Sequence, residues 1–252
     1  MSAPDITVAI TAHDETFVAA PTIRSAELAV AAARDAGFSV ECLIGFDTPT
    51  DACLDFFAET RSAGWQHAIF AFKDQGQTRN ALAEIATGRW IAFLDADDLF
   101  SENWLVRAAG QLAEAQSAGE RIIVHPELCW FFEGSQNVMV NTPQDSPLFD
   151  PAFFYFANYY DALCMAPRAA HLQFPYSRRD IAGGYAYEDW QWNIETMARD
   201  WRHVVAKDTI IFKRRRKSSQ TLRAHERMAV IRNFEPLAID KIADLARTGA
   251  RT

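Results

Sequence analysis

The first half of the chain alternates two hydrophobic periods. Short runs of apolar residues fall at 6–12, 40–46, 67–72 and 90–94, and between them, at 21–36, 51–63 and 77–86, apolar positions recur every three to four residues. The first pattern predicts strands and the second amphipathic helices. Gly88 supplies a stop after the third helix, and Ser101 is the expected N-cap of a fourth that runs to about residue 117. Four β-α units of this kind predict a mostly parallel sheet with helices on both faces. Past about residue 120 the rhythm breaks into strand-like pieces at 121–125, 128–132 and 137–140, separated by Gly and Pro signals. A helix is expected at 190–201, a strand at 209–214 and a last helix at 224–247. The reading is one α/β domain over 1–252, with a nucleotide-like half at 1–120, a substrate-building half at 121–222 and a C-terminal helix within 223–252.

Composition narrows the class without naming a function. With 49% hydrophobic and 23% charged residues in 252, the chain has the ordinary balance of a globular protein that buries a sizeable core. A formal charge of −8 argues against a nucleic-acid binder, whose surface must attract phosphate. Cys42, Cys53, Cys129 and Cys164 lie far apart and form no CxxC pair, so neither a zinc cluster nor a disulfide framework is expected. The N-terminal stretch lacks a basic segment followed by an apolar core, and no run of about 18 apolar residues occurs. The expectation is a cytoplasmic protein without a membrane span.

Candidate chemistry lies at the end of the fourth predicted strand, where IAFLDADDLF runs straight into Asp95, Asp97 and Asp98. In open α/β sheets, ligands bind beyond the carboxyl ends of the strands. Strand alternation lets Asp95 and Asp97 share one side while Asp98 faces away or begins the next turn. Carboxylates held side by side repel each other unless a cation lies between them, and a hard divalent ion suits an all-oxygen donor set. A single aspartate here would read as a helix cap; three within four residues favour the cation.

The stretch KDQGQTRNALAEIATGRWIAFLDADDLFSENWL, residues 73–105, resembles the central signature of family 2 glycosyltransferases of the GT-A fold. That signature is a Gly and an Arg-Asn pair on a helix, a small-Gly turn, a strand, an Asp-x-Asp motif and an apolar exit. ITVAITAHDE stands where the family has its first strand and nucleotide-contacting turn, and GGYAYEDWQW, residues 183–192, resembles the region that carries the catalytic base. The likeness covers most of the first 105 residues and about 40 near 180–220. It implies a Rossmann-like nucleotide-binding sheet merged with an acceptor-binding half.

By position, the resemblance implies that the turn of Thr11, Ala12 and Glu15 lies at the nucleotide, with Asp47 on its base or ribose. Arg79 would approach the nucleotide and its phosphates, Asp95 the ribose side, and Asp97 would hold Mg²⁺ or Mn²⁺ on the diphosphate. Asp189 is the implied general base, with Glu188 beside it and Gly184 just upstream. Each residue also has an ordinary reading. Asp47 is at home in the turn FDTPTD, Arg79 on a solvated helix face, and Glu188 and Asp189 in the acidic first turn of a helix.

A nucleoside diphosphate sugar carries its own leaving group, so catalysis needs charge neutralisation on the diphosphate, a base on the acceptor hydroxyl and alignment of the two. One base opposite the leaving group implies in-line displacement and inversion at the anomeric carbon. The run FKRRRKSSQT, residues 212–221, gathers five cations, of which only alternate ones could reach one site from a strand. Related enzymes often have Tyr-Arg-x-His and a serine here; this chain offers Arg216 or Lys217 and no histidine, so one of these cations is expected to pair with the diphosphate.

The aromatic segment FDPAFFYFANYYD, residues 149–161, reads as core or as a subunit contact in a homo-oligomer. An acceptor platform or a shallow peripheral attachment to a membrane is the alternative. Trp190 and Trp192 are the better-placed acceptor candidates. The Gln-x-x-Arg-Trp motif of processive members is absent, so the resemblance implies a non-processive transferase that takes a nucleoside diphosphate sugar to a glycan or lipid-linked acceptor in bacterial surface polysaccharide assembly. One rival, a sugar nucleotidyltransferase, needs a Gly-rich phosphate loop that TVAITAHDETF lacks. The other is a GT-A-like module that binds without turnover.

Overall fold

The computed structural model describes residues 3–61, 63–215, 224 and 226–246. Strands β1 (Ile6–Ala12), β2 (Val40–Asp47), β3 (Gln66–Phe70) and β4 (Trp90–Asp95) follow the apolar runs, and helices α1 (Ala19–Asp35), α2 (Asp51–Phe57) and α3 (Gln75–Ile85) the stretches between. In chain order there follow β5 (Leu99–Phe100), α4 (Trp104–Ser117), β6 (Ile122–Glu133), β7 (Asn137–Val140), β8 (Met165–Pro167), α5 (Arg168–Gln173), α6 (Glu188–Met197) and β9 (Arg202–Arg215). β1 pairs in parallel with β2 and β4, and β2 with β3. Every residue of β1 is buried, as expected for the centre of a covered parallel sheet.

Beyond β4 the sheet becomes mixed, in the order β3-β2-β1-β4-β8-β6-β9-β5, with β7 added to β6. The parallel pattern expected from the β-α rhythm therefore holds for the first four strands; β8 runs antiparallel to both β4 and β6. The two pieces expected at 121–125 and 128–132 are one strand, whose register against β9 shifts between Pro126 and Leu128. Proline has no N–H to give the ladder, so the shift falls where one bond is missing.

Two further expectations are corrected. Ser101 does not cap α4, because Asn103 holds that position. Instead Ser101 ties the turn to β9: its N–H donates to the Ile210 carbonyl (2.8 Å), and its hydroxyl accepts from the Ile210 N–H (3.0 Å). The helix expected at 224–247 is also not formed through the described stretch 227–246, where the helical pieces are two 3₁₀ turns, Glu235–Leu237 and Ile242–Ala246. Pro236 cannot continue a helical ladder, and Met228 has a left-handed backbone, φ 51°.

Close approaches explain two glycines. A Cβ on Gly88 would lie 2.5 Å from Thr7 Oγ1 and 2.6 Å from Thr7 N, so the ATGRW turn is set by the start of β1. A Cβ on Gly76, in the first turn of α3, would come within 3.0 Å of Glu188 Cγ and 3.1 Å of Tyr176 Cβ. This is where α3 meets α6, and the contact joins the two halves of the site.

The aromatic segment supplies Phe149, Phe154 and Tyr160 to a second core with Ile194, Met197, Leu237, Ile242 and Leu245, in line with its reading as core, although Phe156 is 82% exposed. The four cysteines are buried free thiols that pack as small apolar groups. Among the described residues, no helix is long and apolar enough to cross a membrane.

His171, in α5, is stacked on Trp192 (4.9 Å, 12°) and edge-on to Phe93 (5.0 Å), with neither ring nitrogen meeting a partner among the described residues. Burial, aided by the Arg79 charge, pushes its pKa down to about 3, so it is neutral in the fold. The unfolded chain takes up that proton below about pH 6.5, and the stability tied to the neutral ring is lost as pH falls from there toward 3. His171→Phe is therefore expected to gain stability over wild type by about 1.4 kcal/mol for each pH unit below about 6.5. Urea unfolding of both proteins at pH 8, 6 and 5 checks this; a gap that does not change with pH would mean that the ring titrates normally in the fold.

Candidate functional site

The site is built at the carboxyl ends of β1 and β4. Asp95 closes β4, and its Oδ1 accepts from Arg79 Nη2 (2.6 Å), Gln75 Nε2 (2.6 Å) and Thr11 Oγ1 (3.0 Å). Arg79 and Gln75 both come from α3, whose start is fixed by Asp74 accepting from the Gln77 N–H (3.1 Å). Burial would raise the Asp95 pKa, but Arg79, Lys213 and the bonds from Arg79 and Thr11 outweigh it and hold the carboxyl below the usual range. Arg79 is 2% exposed, with its guanidinium 5.9 Å from the Tyr176 ring. Burial disfavours its charge, yet Asp95, with Tyr176, Glu188 and Asp161, outweighs it and the pKa is raised.

A second cation enters from β9. Lys213 Nζ lies 2.8 Å from Asp161, 3.0 Å from Asp98 and 3.7 Å from Asp95. The group bridging Asp95 and Asp98 is thus a lysine ammonium. Asp98 is pushed up to about 7, because burial, together with Asp95 and Asp97, outweighs the ammonium that it shares. Its Oδ1 also accepts from the Arg214 N–H (2.8 Å), while Arg214 Nε donates to the Asp97 carbonyl (3.0 Å). The start of the basic run therefore clamps the Asp-Ala-Asp-Asp turn.

The opposite wall begins at α6. Tyr187, just before it, has a left-handed backbone (φ 66°), a costly conformation for a bulky residue that places Glu188 and Asp189 at the helix start. Glu188 is buried against Arg179 (3.6 Å), which also reaches Asp74 (3.7 Å). Asp189 is pushed up to about 7 by burial first, then by Glu188 and Asp161, against the pull of Arg79 and of the Trp190 N–H. Arg79, Asp95, Asp161, Glu188, Asp189 and Lys213 all line one cleft of about 100 Å³. A larger cavity of about 400 Å³, among Trp90, Ile122 and Trp201 at the other ends of β4 and β6, carries none of them.

This order of motifs along one sheet edge has a counterpart in known sequences: residues 7–150 match the family described as Glycosyl transferase family 2. The chain belongs to that family. Among solved structures, S. aureus TarS 1-349 is similar at TM-score 0.61 and 13% identity, over 83% of this chain and 60% of that one. TarS 1-349 in complex with UDP-GlcNAc gives 0.61 at 14%, over 86% and 60%, and TarS gives 0.61 at 14%, over 84% and 37%. The chain thus spans about 60% of the length of TarS 1-349, and the likeness establishes the fold as GT-A. No curated protein matches the sequence.

Of the residues named from this family 2 sequence, the fold brings Thr11, Arg79, Asp95, Glu188 and Asp189 to one place. Asp47 sits one strand over, its carboxylate accepting from the N–H groups of Phe72 (2.8 Å), Lys73 (2.9 Å) and Asp74 (2.8 Å), which shapes the entry to α3. Beside it the His13 ring bonds the Asp47 carbonyl (2.5 Å) and Glu15 accepts from the His13 N–H (2.7 Å), while Ala12 is buried opposite Phe46. Gly184 (φ 86°) turns the 180–185 hairpin and accepts from the Val230 N–H (2.9 Å). Neither acceptor tryptophan lines the cleft: Trp190 packs on the second core, and Trp192 is buried under Tyr176 and His171, donating to the Phe174 carbonyl (2.7 Å). Among the described residues, the aromatic one on the cleft wall is Tyr187. Arg216 and Lys217 lie outside the described residues.

Gln75 and Asp161 were not singled out from the sequence, and Lys213 was read only as one of the five cations of residues 212–221, behind Arg216 and Lys217. Asp161 had a readable signal, since NYYD ends an apolar run in a carboxylate just as IAFLD does. As for a metal, no three His, Cys, Asp or Glu gather into a cage among the described residues. Asp95 and Asp98 are engaged by Arg79 and Lys213, and half-buried Asp97 lies between them in sequence. One carboxylate completed by phosphate oxygens and water is a common way to hold Mg²⁺, so the donor set suits a hard ion.

Proposed function

We propose that the chain is an inverting glycosyltransferase that moves a sugar from a nucleoside diphosphate donor to the hydroxyl of a glycan or lipid-linked acceptor. The observation that carries this reading is the meeting of the Arg79–Asp95 pair with the raised carboxyl of Asp189 across one cleft. Asp95 orients Arg79, whose guanidinium has N–H donors beyond the one given to Asp95 and can bond the nucleotide phosphates. Asp189 takes the acceptor hydroxyl proton as that oxygen attacks the anomeric carbon; the bond to the diphosphate breaks on the opposite side, and the configuration inverts. Asp97 would hold Mg²⁺ or Mn²⁺, which neutralises charge on the departing diphosphate. The TarS complexes with UDP-GlcNAc and UDP make UDP-sugars the first donors to try.

The finer reading is action at the cytoplasmic face of a membrane, as a peripheral protein or homo-oligomer, in bacterial surface polysaccharide assembly. Its motivation is the exposed aromatic surface at Tyr155 and Phe156. The rival is a GT-A-like module that binds without turnover. The deciding assay is release of nucleoside diphosphate from UDP-, GDP- and dTDP-sugars with Mn²⁺, Mg²⁺ or EDTA. Slow hydrolysis of one donor is expected, lost with EDTA and in Asp97→Ala. Silence across the panel, with no nucleotide binding by calorimetry, would favour the rival.

A further inference from the structure

Lys213, from the basic run 212–221, and Asp161, at the end of the aromatic segment 149–161, were assigned no role above, yet both line the cleft. The Lys213 side chain is 11% exposed, and its ammonium has three N–H donors for three carboxylates: Asp161 at 2.8 Å, Asp98 at 3.0 Å and Asp95 at 3.7 Å. It acts as a fixed counter-ion. Arg79 is already the closest counter-charge of Asp95, so the ammonium is shared chiefly between Asp98 and Asp161. Asp161 is held twice, by Lys213 and by the Leu163 N–H (3.1 Å). In the same turn, Asn158 reaches Asp189 Oδ2 at 3.5 Å and accepts from Asn193 of α6 (3.2 Å). The 158–161 turn therefore abuts the start of α6.

We propose that Asp161, pinned by Lys213, is a positioning residue that governs the proton affinity of Asp189. This deepens the proposed function and rests on Asp189 as its base. Among the described residues, the charged groups that act most on Asp189 are Glu188 from its own helix, Asp161 from the 158–161 turn and Arg79 from α3, with the Tyr176 and Tyr187 phenols beside it and Asp95, Arg179 and Lys213 lining the same cleft. Glu188 and Asp161 oppose its ionisation, and Arg79 favours it. Of the two opposing charges, Asp161 is the one that Lys213 and the Leu163 N–H fix in the cleft.

Carboxyl ¹³C NMR of aspartate-labelled protein, with Asp189→Asn to assign the signal, reads the midpoint of Asp189 without any need for turnover. Asp161→Asn keeps the shape of the residue and an acceptor for the Leu163 N–H. It is expected to lower the midpoint by about one pH unit, as removal of a nearby like charge should. Asp98→Asn, which deprives Lys213 of a comparable partner, should move it much less. An unmoved midpoint in Asp161→Asn overturns the proposal. So does an equal move in Asp98→Asn, because the effect would then run through the placement of Lys213. Absence of donor turnover in wild type, with the Asp161→Asn shift intact, would count against the proposed function and leave the coupling standing.

Discussion

Asp189→Asn is expected to slow donor turnover by about 10²–10⁴-fold, the usual share of a positioned general base. Asparagine keeps the size and most of the hydrogen bonding of the side chain but cannot accept a proton. Donor binding, measured by calorimetry, should be preserved, because the side proposed to face the phosphates is built from α3 and β4. The pH profile carries a second check. A base works ionised, and burial beside Glu188 and Asp161 pushes the Asp189 pKa up to about 7. The wild-type rate should therefore level off above about pH 7 and fall about tenfold per unit below it. Donor hydrolysis, with water standing in for the acceptor, is enough to see both effects. Full turnover in Asp189→Asn would transfer the role to Glu188, the adjacent carboxylate.

Arg79→Met is expected to destabilise the protein by about 3–5 kcal/mol, because it leaves Asp95 buried without its closest counter-charge. The loss should depend on pH in a definite direction. In wild type the Asp95 pKa is depressed, so the stability it contributes is present above the unfolded carboxyl value and lost as pH falls through the folded one. Without Arg79, burial dominates and Asp95 binds a proton more readily in the fold, so the deficit should shrink between pH 7.5 and pH 5. Urea unfolding at the two values measures it. Adding Asp95→Leu to Arg79→Met should restore much of the stability, since an apolar pair in place of a buried ion pair is often neutral. Nucleotide binding is expected to be lost in Arg79→Met and to stay lost in the double variant. If binding returned along with stability, Arg79 would be a structural residue only.

Much of the nucleotide half was legible in the sequence because its signals are local. Strand alternation, the 3.6-residue period and the Gly88 stop each act within a few residues, and they located β1, β2, β4, α1 and α3. The carboxylate cluster at the end of β4 was legible for the same reason, since an apolar run ending in charge marks a strand leaving the core. Where local rules compete, they misled. A helical pattern covered 224–247, but Pro236 denies it a continuous ladder, and the apolar residues of that stretch turn toward Phe149, Phe154 and Tyr160.

By itself, then, the sequence determined the α/β class, the family and the position of the carboxylates along the chain. Only the tertiary structure decided what faces them. The cation between Asp95 and Asp98 is Lys213, brought there because β9 pairs with β5 just past the Asp-Ala-Asp-Asp turn. Asp161 shares a cleft with Asp189 because the segment before β8 packs on α6 through Asn158. Pairing of this kind depends on which sheet edges and helix ends meet in space. No short-range period encodes that, because the energy of a buried charge is set by its neighbours in three dimensions.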